Sequence, residues 1–157
     1  MLDSNVFINN LSYLFNDVLV VTTPFIEEEL KSLPSKMDFY RASSMNLHIM
    51  LPKREYFEKV KKLSDKTKHK LTNADISIIA LSLEFKEKNK NVVLVSDDYS
   101  VQDLASRLSI DVLSLTKPKI KEHYEWKRIC IACNRETSSD ICEICGLRTV
   151  YIRKRNE

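Results

Sequence analysis

Short unbroken apolar runs alternate with stretches of helical period along most of this chain. The runs are Val18–Thr22 (VLVVT), Leu47–Leu51, Val92–Val95 and Ile110–Leu115. Apolar runs this short, without polar alternation, read as strands buried on both faces, the mark of a parallel sheet. The stretches between them carry helix signals. Val6, Phe7 and Ile8 begin a helix that continues towards Leu14. Thr23-Pro24 gives a cap followed by proline at the first helical position, and Leu33-Pro34 predicts where that helix stops. Met37–Met45 reads as another short helix. In Arg54–Lys66, Tyr56, Val60 and Leu63 share one stripe with lysines opposite. Leu71–Asn89 is the strongest pattern, with Ile76, Ile79, Ala80 and Leu83 on a buried face and Thr72 and Asp75 spaced as a capping box. Ser100, with Asp103 three residues later, predicts the cap of a further helix whose stripe is Val101, Leu104, Ala105 and Leu108. Strand and helix in alternation imply right-handed crossovers and an α/β fold, a parallel sheet between helices.

Composition narrows the chemistry. The chain has 157 residues, room for one such domain and a small appendage. It holds a single glycine, so Gly-rich phosphate loops are excluded. No run approaches the roughly 18 apolar residues of a membrane span. The opening residues do not read as a signal peptide. The four cysteines form two Cys-x-x-Cys pairs instead of a scattered disulfide framework, which predicts a reducing, cytoplasmic setting. From Lys117 onward ten Lys/Arg face six Asp/Glu, whereas residues 1–116 carry fifteen against sixteen. The basic excess in the last quarter suits an anionic partner such as RNA. The organisation predicted is an α/β domain over 1–116, a linker over 117–126, a cysteine-bearing ribbon over 127–151 and a basic tail over 152–157.

Two groups of residues carry chemistry. Cys130, Cys133, Cys142 and Cys145 pair as two knuckles eight residues apart. Two such turns close a tetrahedral thiolate site, which predicts a structural Zn²⁺ with no open position. Lys127, Arg128, Arg135 and Arg148 surround the knuckles, and Arg153, Lys154 and Arg155 continue the basic surface. Trp126 and Tyr151 offer stacking faces for unpaired bases, although Trp126 reads better as packed on the ribbon. His69, in the basic loop KTKHK, reads as solvated, and His123 is not needed beside four cysteines. The second group is acidic. Asp3, one of Glu27–Glu29, Asp75, and Asp97 or Asp98 each stand at a strand end or in a first helical turn. Each alone is explained as a cap or as a charge favoured by a helix dipole. In a parallel sheet these places share the carboxyl edge, where α/β proteins keep their sites. Clustered carboxylates repel, and a hard cation such as Mg²⁺ or Mn²⁺ relieves that repulsion.

The motifs Leu2-Asp3-Ser4-Asn5, the Thr23–Leu30 helix with its acids, Thr72–Ile76 and Leu94–Asp98 resemble those of PIN-domain nucleases over residues 1 to about 115. With the four-cysteine ribbon behind it, the whole chain resembles the archaeal Nob-one endoribonuclease family. The resemblance implies a PIN fold followed by a zinc ribbon. It implies a metal-dependent endoribonuclease acting on single-stranded RNA, and maturation of the 3′ end of small-subunit (16S) rRNA. Precursor rRNA, the small ribosomal subunit and other assembly factors are the partners implied. Carried over by motif, the site acids are Asp3, Glu29 (Glu28 as the fallback), Asp75 and Asp98, with Asp97 assisting, around Mg²⁺ or Mn²⁺. Glu29 is preferred because an aliphatic and a basic residue follow it, as Leu30-Lys31. The alternatives are a non-catalytic RNA-binding assembly factor and a toxin-type PIN ribonuclease. A phosphoacceptor receiver-like domain fits less well, since its acid pair follows the first strand.

Overall fold

The computed structural model describes residues 1–67, 70–88, 90–116 and 124–155, with the backbone only at 124–126 and 153–155. His69 and His123 lie outside the described residues. The chain forms two compact units, Met1–Ile120 and Lys121–Glu157.

In the first unit, four strands of three residues pair in parallel. β1 (Val20–Thr22) pairs with β2 (Leu47–Ile49), and β3 (Val93–Val95) pairs with β4 (Asp111–Leu113). The N-terminal segment joins the two ribbons. The Leu2 amide donates to the Val21 carbonyl at 3.0 Å, and the Asp3 amide to the Val95 carbonyl at 3.1 Å. Leu2 also bridges Val95 in parallel. The lateral order is therefore β2, β1, the N-terminal segment, β3, β4. Strand order reverses at the central segment, and the crevice at such a switch point is where α/β sheets bind ligands.

Helices α1 (Ser4–Ile8), α2 (Pro24–Glu29), α3 (Leu33–Ser43), α4 (Arg54–Thr67), α5 (Asn73–Glu87) and α6 (Tyr99–Arg107) complete the unit. Leu94 and Val95 are neighbours on β3 and so point to opposite faces. Leu94 joins Val60, Ile78, Ile79, Leu104 and Val112 in one core, and Val95 joins Leu2, Phe7, Ile26 and Phe39 in another. Leu94→Ala empties a fully buried site and is expected to cost about 2–5 kcal/mol, read from urea unfolding of the full chain.

Three sequence expectations change. Leu33-Pro34 does not end a helix: α2 stops at Glu29, and Ser32 caps α3 with Pro34 in its first turn. Proline marks a helix start as readily as a stop, because its missing N–H is unused in the first turn. Ser100 is not a cap. Asp98 caps α6 by accepting from the Ser100 amide, and Asp103 pairs with Arg107 one turn on. The first helix ends at Ile8, and Asn10 takes a left-handed φ of 54° before a 3₁₀ turn at Ser12–Phe15. The expected stripe of α5 is buried, but so is the rest of its surface from Ala74 to Glu84. Its serines fit this setting because Ser77 and Ser82 bond to carbonyls of their own helix. No helix among the described residues is long and apolar enough to cross a membrane.

In the second unit, β5 (Tyr124–Cys130) and β6 (Thr149–Arg155) form an antiparallel pair. These strands take in Tyr124–Trp126 and Ile152–Arg155, residues that the sequence places in linker and tail.

Candidate active site and cysteine centre

Asp3 ends the central segment and caps α1. It is fully buried. Its Oδ1 accepts from the Ser4 amide at 2.7 Å, and its Oδ2 accepts from Asn5 Nδ2 at 3.2 Å and Ser96 Oγ at 2.5 Å. Asp75 sits in the first turn of α5 as half of the predicted capping box: its Oδ2 accepts from the Thr72 amide at 2.7 Å and the Thr72 hydroxyl at 2.9 Å. Burial pushes the Asp75 carboxyl up to about 6, and the charges of Asp3 and Glu29 push the same way against the two Thr72 bonds. Asp3 is also raised, by burial first and then by Glu29, against the bonds from Ser96, Ser4 and Asn5. The structure therefore brings Asp3, Glu29 and Asp75 within electrostatic reach of one another.

Three glutamates compete for the second acidic position. Glu27 accepts from the Tyr40 hydroxyl at 2.8 Å, and Glu28 is exposed. Glu29, at the end of α2, is half-buried and is the one whose charge acts on Asp3 and Asp75.

The last two acids part company. Asp98 is exposed and caps α6 through Oδ1, which accepts from the Ser100 amide at 2.6 Å. Its backbone amide donates to Ser96 Oγ at 3.2 Å, and that hydroxyl in turn donates to Asp3. Ser96 thus ties Asp98 to Asp3. Asp97 is buried and turned to the next strand. It accepts from Ser114 Oγ at 2.5 Å, the Leu115 amide at 2.8 Å and Thr116 Oγ1 at 2.6 Å. Burial alone would raise its carboxyl, but these donors outweigh it and hold the group at about 2. Both Asp97 oxygens are engaged by these donors, as both oxygens of Asp3 are by theirs.

The acids are of the donor type that a hard cation takes, but among the described residues only the cysteines are gathered closely enough to form one ion site. The described bonds of Asp75 all fall on Oδ2 and those of Asp98 on Oδ1, which leaves one oxygen of each to a further partner. The groups that act on Asp3 and Asp75 are hydroxyls, amides and other carboxylates, so the repulsion is of the kind a cation relieves.

The cysteine centre is tighter. Among the described residues, one Sγ from each of Cys130, Cys133, Cys142 and Cys145 lies within 4.8 Å of all the others. Cys130–Cys145 is 3.2 Å, Cys145–Cys133 3.7 Å and Cys133–Cys142 3.8 Å. Sulfurs bound at about 2.3 Å to a tetrahedral ion would stand about 3.8 Å apart, so the four suit one zinc-sized ion. The two knuckles repeat one another. In each, the residue after the second cysteine takes a left-handed φ, 54° at Asn134 and 68° at Gly146. Its amide donates back to the first cysteine's carbonyl, at 3.0 Å to Cys130 and 2.9 Å to Cys142. Backbone amides in the turns pull the Cys130 and Cys142 thiols down, which favours the thiolate that a metal requires.

Around this centre the basic residues divide. Lys127 pairs with Glu136 at 3.1 Å. Arg128 pairs with Asp140 and lies 4.5 Å over the Tyr151 ring. These contacts hold the hairpin together. Arg135 and Arg148 are exposed, with no side-chain partner among the described residues. The side chains of Trp126, Arg153, Lys154 and Arg155 lie outside the described residues.

A family model described as the PIN domain of ribonuclease matches residues 1–85. The endoribonuclease Nob1 of Methanocaldococcus jannaschii is 32% identical over 154 residues, 93% of this chain and 73% of that protein. This chain belongs to the Nob1 family of PIN-domain endoribonucleases. The Nob1 of Archaeoglobus fulgidus is 32% identical over 140 residues, 88% of this chain and 82% of its own. A shorter match, 28% identical over 104 residues, is to ribonuclease VapC1 of Thermoplasma acidophilum, and covers 51% of that protein. As a Nob1-type chain it has the expected mixed α/β PIN unit, and its cysteine cluster is consistent with a zinc ribbon. Ser96 is the site residue that sequence reasoning used only as a spacing mark. Its signal was its place at a strand end, two residues before Asp98, where a hydroxyl can reach both neighbouring elements.

Proposed function

We propose that this chain is a divalent-metal-dependent endoribonuclease that hydrolyses single-stranded RNA, with Asp3, Glu29, Asp75 and Asp98 as the acids that hold Mg²⁺ or Mn²⁺. The observation that carries this reading is the mutual charge of Asp3, Glu29 and Asp75 at the switch point of the sheet, in a chain of an endoribonuclease family. A cation in such a site lowers the pKa of a water and stabilises charge on the phosphodiester oxygens. The protein's own groups have separate tasks. Ser96 orients Asp3 and fixes the turn into Asp98. Thr72 turns Asp75 by binding one of its oxygens, so the other is left for the ion. Burial raises the Asp75 carboxyl to about 6 without metal, so its proton must leave for the ion to bind, and the affinity for Mn²⁺ is expected to rise with pH through that region.

In this reading the ribbon carries a structural Zn²⁺ on Cys130, Cys133, Cys142 and Cys145. Arg135 and Arg148, with the tail residues Arg153, Lys154 and Arg155, contact RNA phosphates. The substrate is precursor rRNA of the small subunit, cut at its 3′ end in the cytoplasm, with assembly factors as partners. The test is a labelled RNA spanning that 3′ end, incubated with the full chain and Mn²⁺. A single cut that disappears with EDTA is expected. Binding without a cut, in the presence of Mn²⁺, would overturn the catalytic reading and favour a non-catalytic assembly factor.

A further inference from the structure

We infer that Lys62, Lys66 and Lys70 form a phosphate-binding surface on the nuclease unit, which holds the backbone of single-stranded RNA where it passes the acidic edge. The inference deepens the RNA reading above and rests on it. It begins with how charge is spread. Residues 61–70 hold five of the fifteen Lys/Arg of residues 1–116 and one of their sixteen Asp/Glu. A unit that is acidic elsewhere therefore gathers a third of its cations within ten residues. The fold sets this segment beside the acids. Near the start of α4, Tyr56 bonds to Glu87, and the Lys53 amide donates to Glu84 at 2.9 Å. Both glutamates lie in the last turn of α5, so the two helices run antiparallel and α4 ends where α5 begins. That end of α5 is the acidic edge, because Asp75 in its first turn feels the charges of Asp3 and Glu29. Lys70 stands two residues before Thr72, so their Cα atoms lie within about 7 Å of each other. Thr72 itself bonds to Asp75 at 2.7 and 2.9 Å. Lys62 and Lys66 are one turn apart on α4 and share a face.

The three lysines are exposed and have no side-chain partner among the described residues. Other cations of the unit are committed: Arg41 to Asp38, Lys59 to Glu87, Lys88 to Glu84 and Arg107 to Asp103. Lys86 donates to the carbonyls of Leu108 and Ser109. A cation in the last turn of α4 favours the helix dipole, which accounts for Lys66 but not for Lys62, a turn earlier, or Lys70, beyond the end. An edge of clustered carboxylates repels a polyanion, and cations next to it offset that repulsion and draw the backbone in. The partner that suits such a surface is a phosphate chain.

The experiment measures binding of a single-stranded RNA of about fifteen nucleotides to the full chain as a function of salt, with no Mn²⁺ or Mg²⁺ added. The ribbon is the same in every variant, so differences report on this surface. Lys62→Ala, Lys66→Ala and Lys70→Ala combined should make the slope of log affinity against log salt shallower by about 2, since each contact to a single strand contributes about 0.7. Affinity near 0.1 M salt should fall by at least about tenfold. The same three positions changed to arginine should keep the slope, because the charges remain. Lys90→Ala removes an exposed lysine at the amino end of β3, away from the acids, and should stay within about twofold of the unaltered chain. A triple-alanine slope equal to that of the unaltered chain overturns the proposal. So does a loss with Lys90→Ala as large as with Lys66→Ala alone, since net charge would then explain the binding. If the unaltered chain does not bind this RNA at all, the RNA reading fails and the surface fails with it, whereas binding that ignores the three lysines overturns the surface alone.

Discussion

Asp98→Asn is expected to lower RNA cleavage by at least about a hundredfold while the melting temperature stays nearly unchanged. The two halves of this prediction have separate causes. Asp98 caps α6 with one oxygen, and asparagine caps a helix about as well as aspartate. Its side chain is exposed, so no buried contact is lost. What disappears is one negative charge on the oxygen turned away from the cap. Removing a group that merely orients a metal ligand already costs about 10–100-fold, so loss of the ligand charge should reach the top of that range or beyond. Steady-state cleavage with saturating Mn²⁺ and a thermal melt of the same preparation check both parts. Activity within threefold of the unaltered chain would remove Asp98 from the site. Asp75→Asn makes the complementary case. The Asp75 carboxyl is raised to about 6 in the folded protein, above its ordinary value of 3.8. The folded state therefore holds this proton more firmly than the unfolded state. The stability it contributes is present below about pH 4 and is lost as pH rises through 6. At pH 7.5 without divalent cations, Asp75→Asn should melt higher than the unaltered chain while losing activity.

Metal removal should separate the two units. Among the described residues of the ribbon only Cys130 and Cys142 are buried, so no apolar core stands ready to hold the hairpin. In metallo-domains of this kind, metal affinity is folding free energy. Strong chelation, or Cys142→Ser, is expected to abolish the dispersion of ribbon amide signals in an NMR spectrum, while those of α5 and β3 persist. Long-RNA affinity should fall by about tenfold or more as the second binding module is lost. Measured zinc should fall from one per chain to none. A ribbon that keeps its spectrum without metal would show that the hairpin and its ion pairs suffice.

What could be read in advance follows from the range of the interactions. The cysteines and the Thr72–Asp75 box declare themselves over three or four residues, and the structure keeps both. The strand ends at Thr22 and Val95 were legible because apolar runs stop there, whereas the runs to Leu51 and Leu115 overshoot strands that end at Ile49 and Leu113. Asp98 and Ser100 are both good caps two residues apart, so local pattern could not choose between them. The choice fell to Asp98 because its strand ends at Val95 and the turn closes on Ser96. The role of Asp97 was hidden altogether, since its partners lie 17–19 residues away in sequence. Glu29 could be preferred over Glu28 only through the family pattern. The structure adds a physical reason, because Glu28 is exposed whereas Glu29 is half-buried and its charge acts on Asp3 and Asp75.

The first residues of the chain occupy the middle of the sheet, and their outer neighbour on one side is Val95. During translation, Asp3 is made long before the strand that seats it. At about 5–20 residues per second, roughly 5–20 s pass before Val95 and Asp98 are synthesised, and further residues must follow before they clear the exit tunnel. Until then the central segment has no partner on that side and the acids are scattered along an unfinished chain. A nascent chain of this topology cannot join Asp3 to Asp98 through Ser96 until the strand that ends at Val95 has emerged.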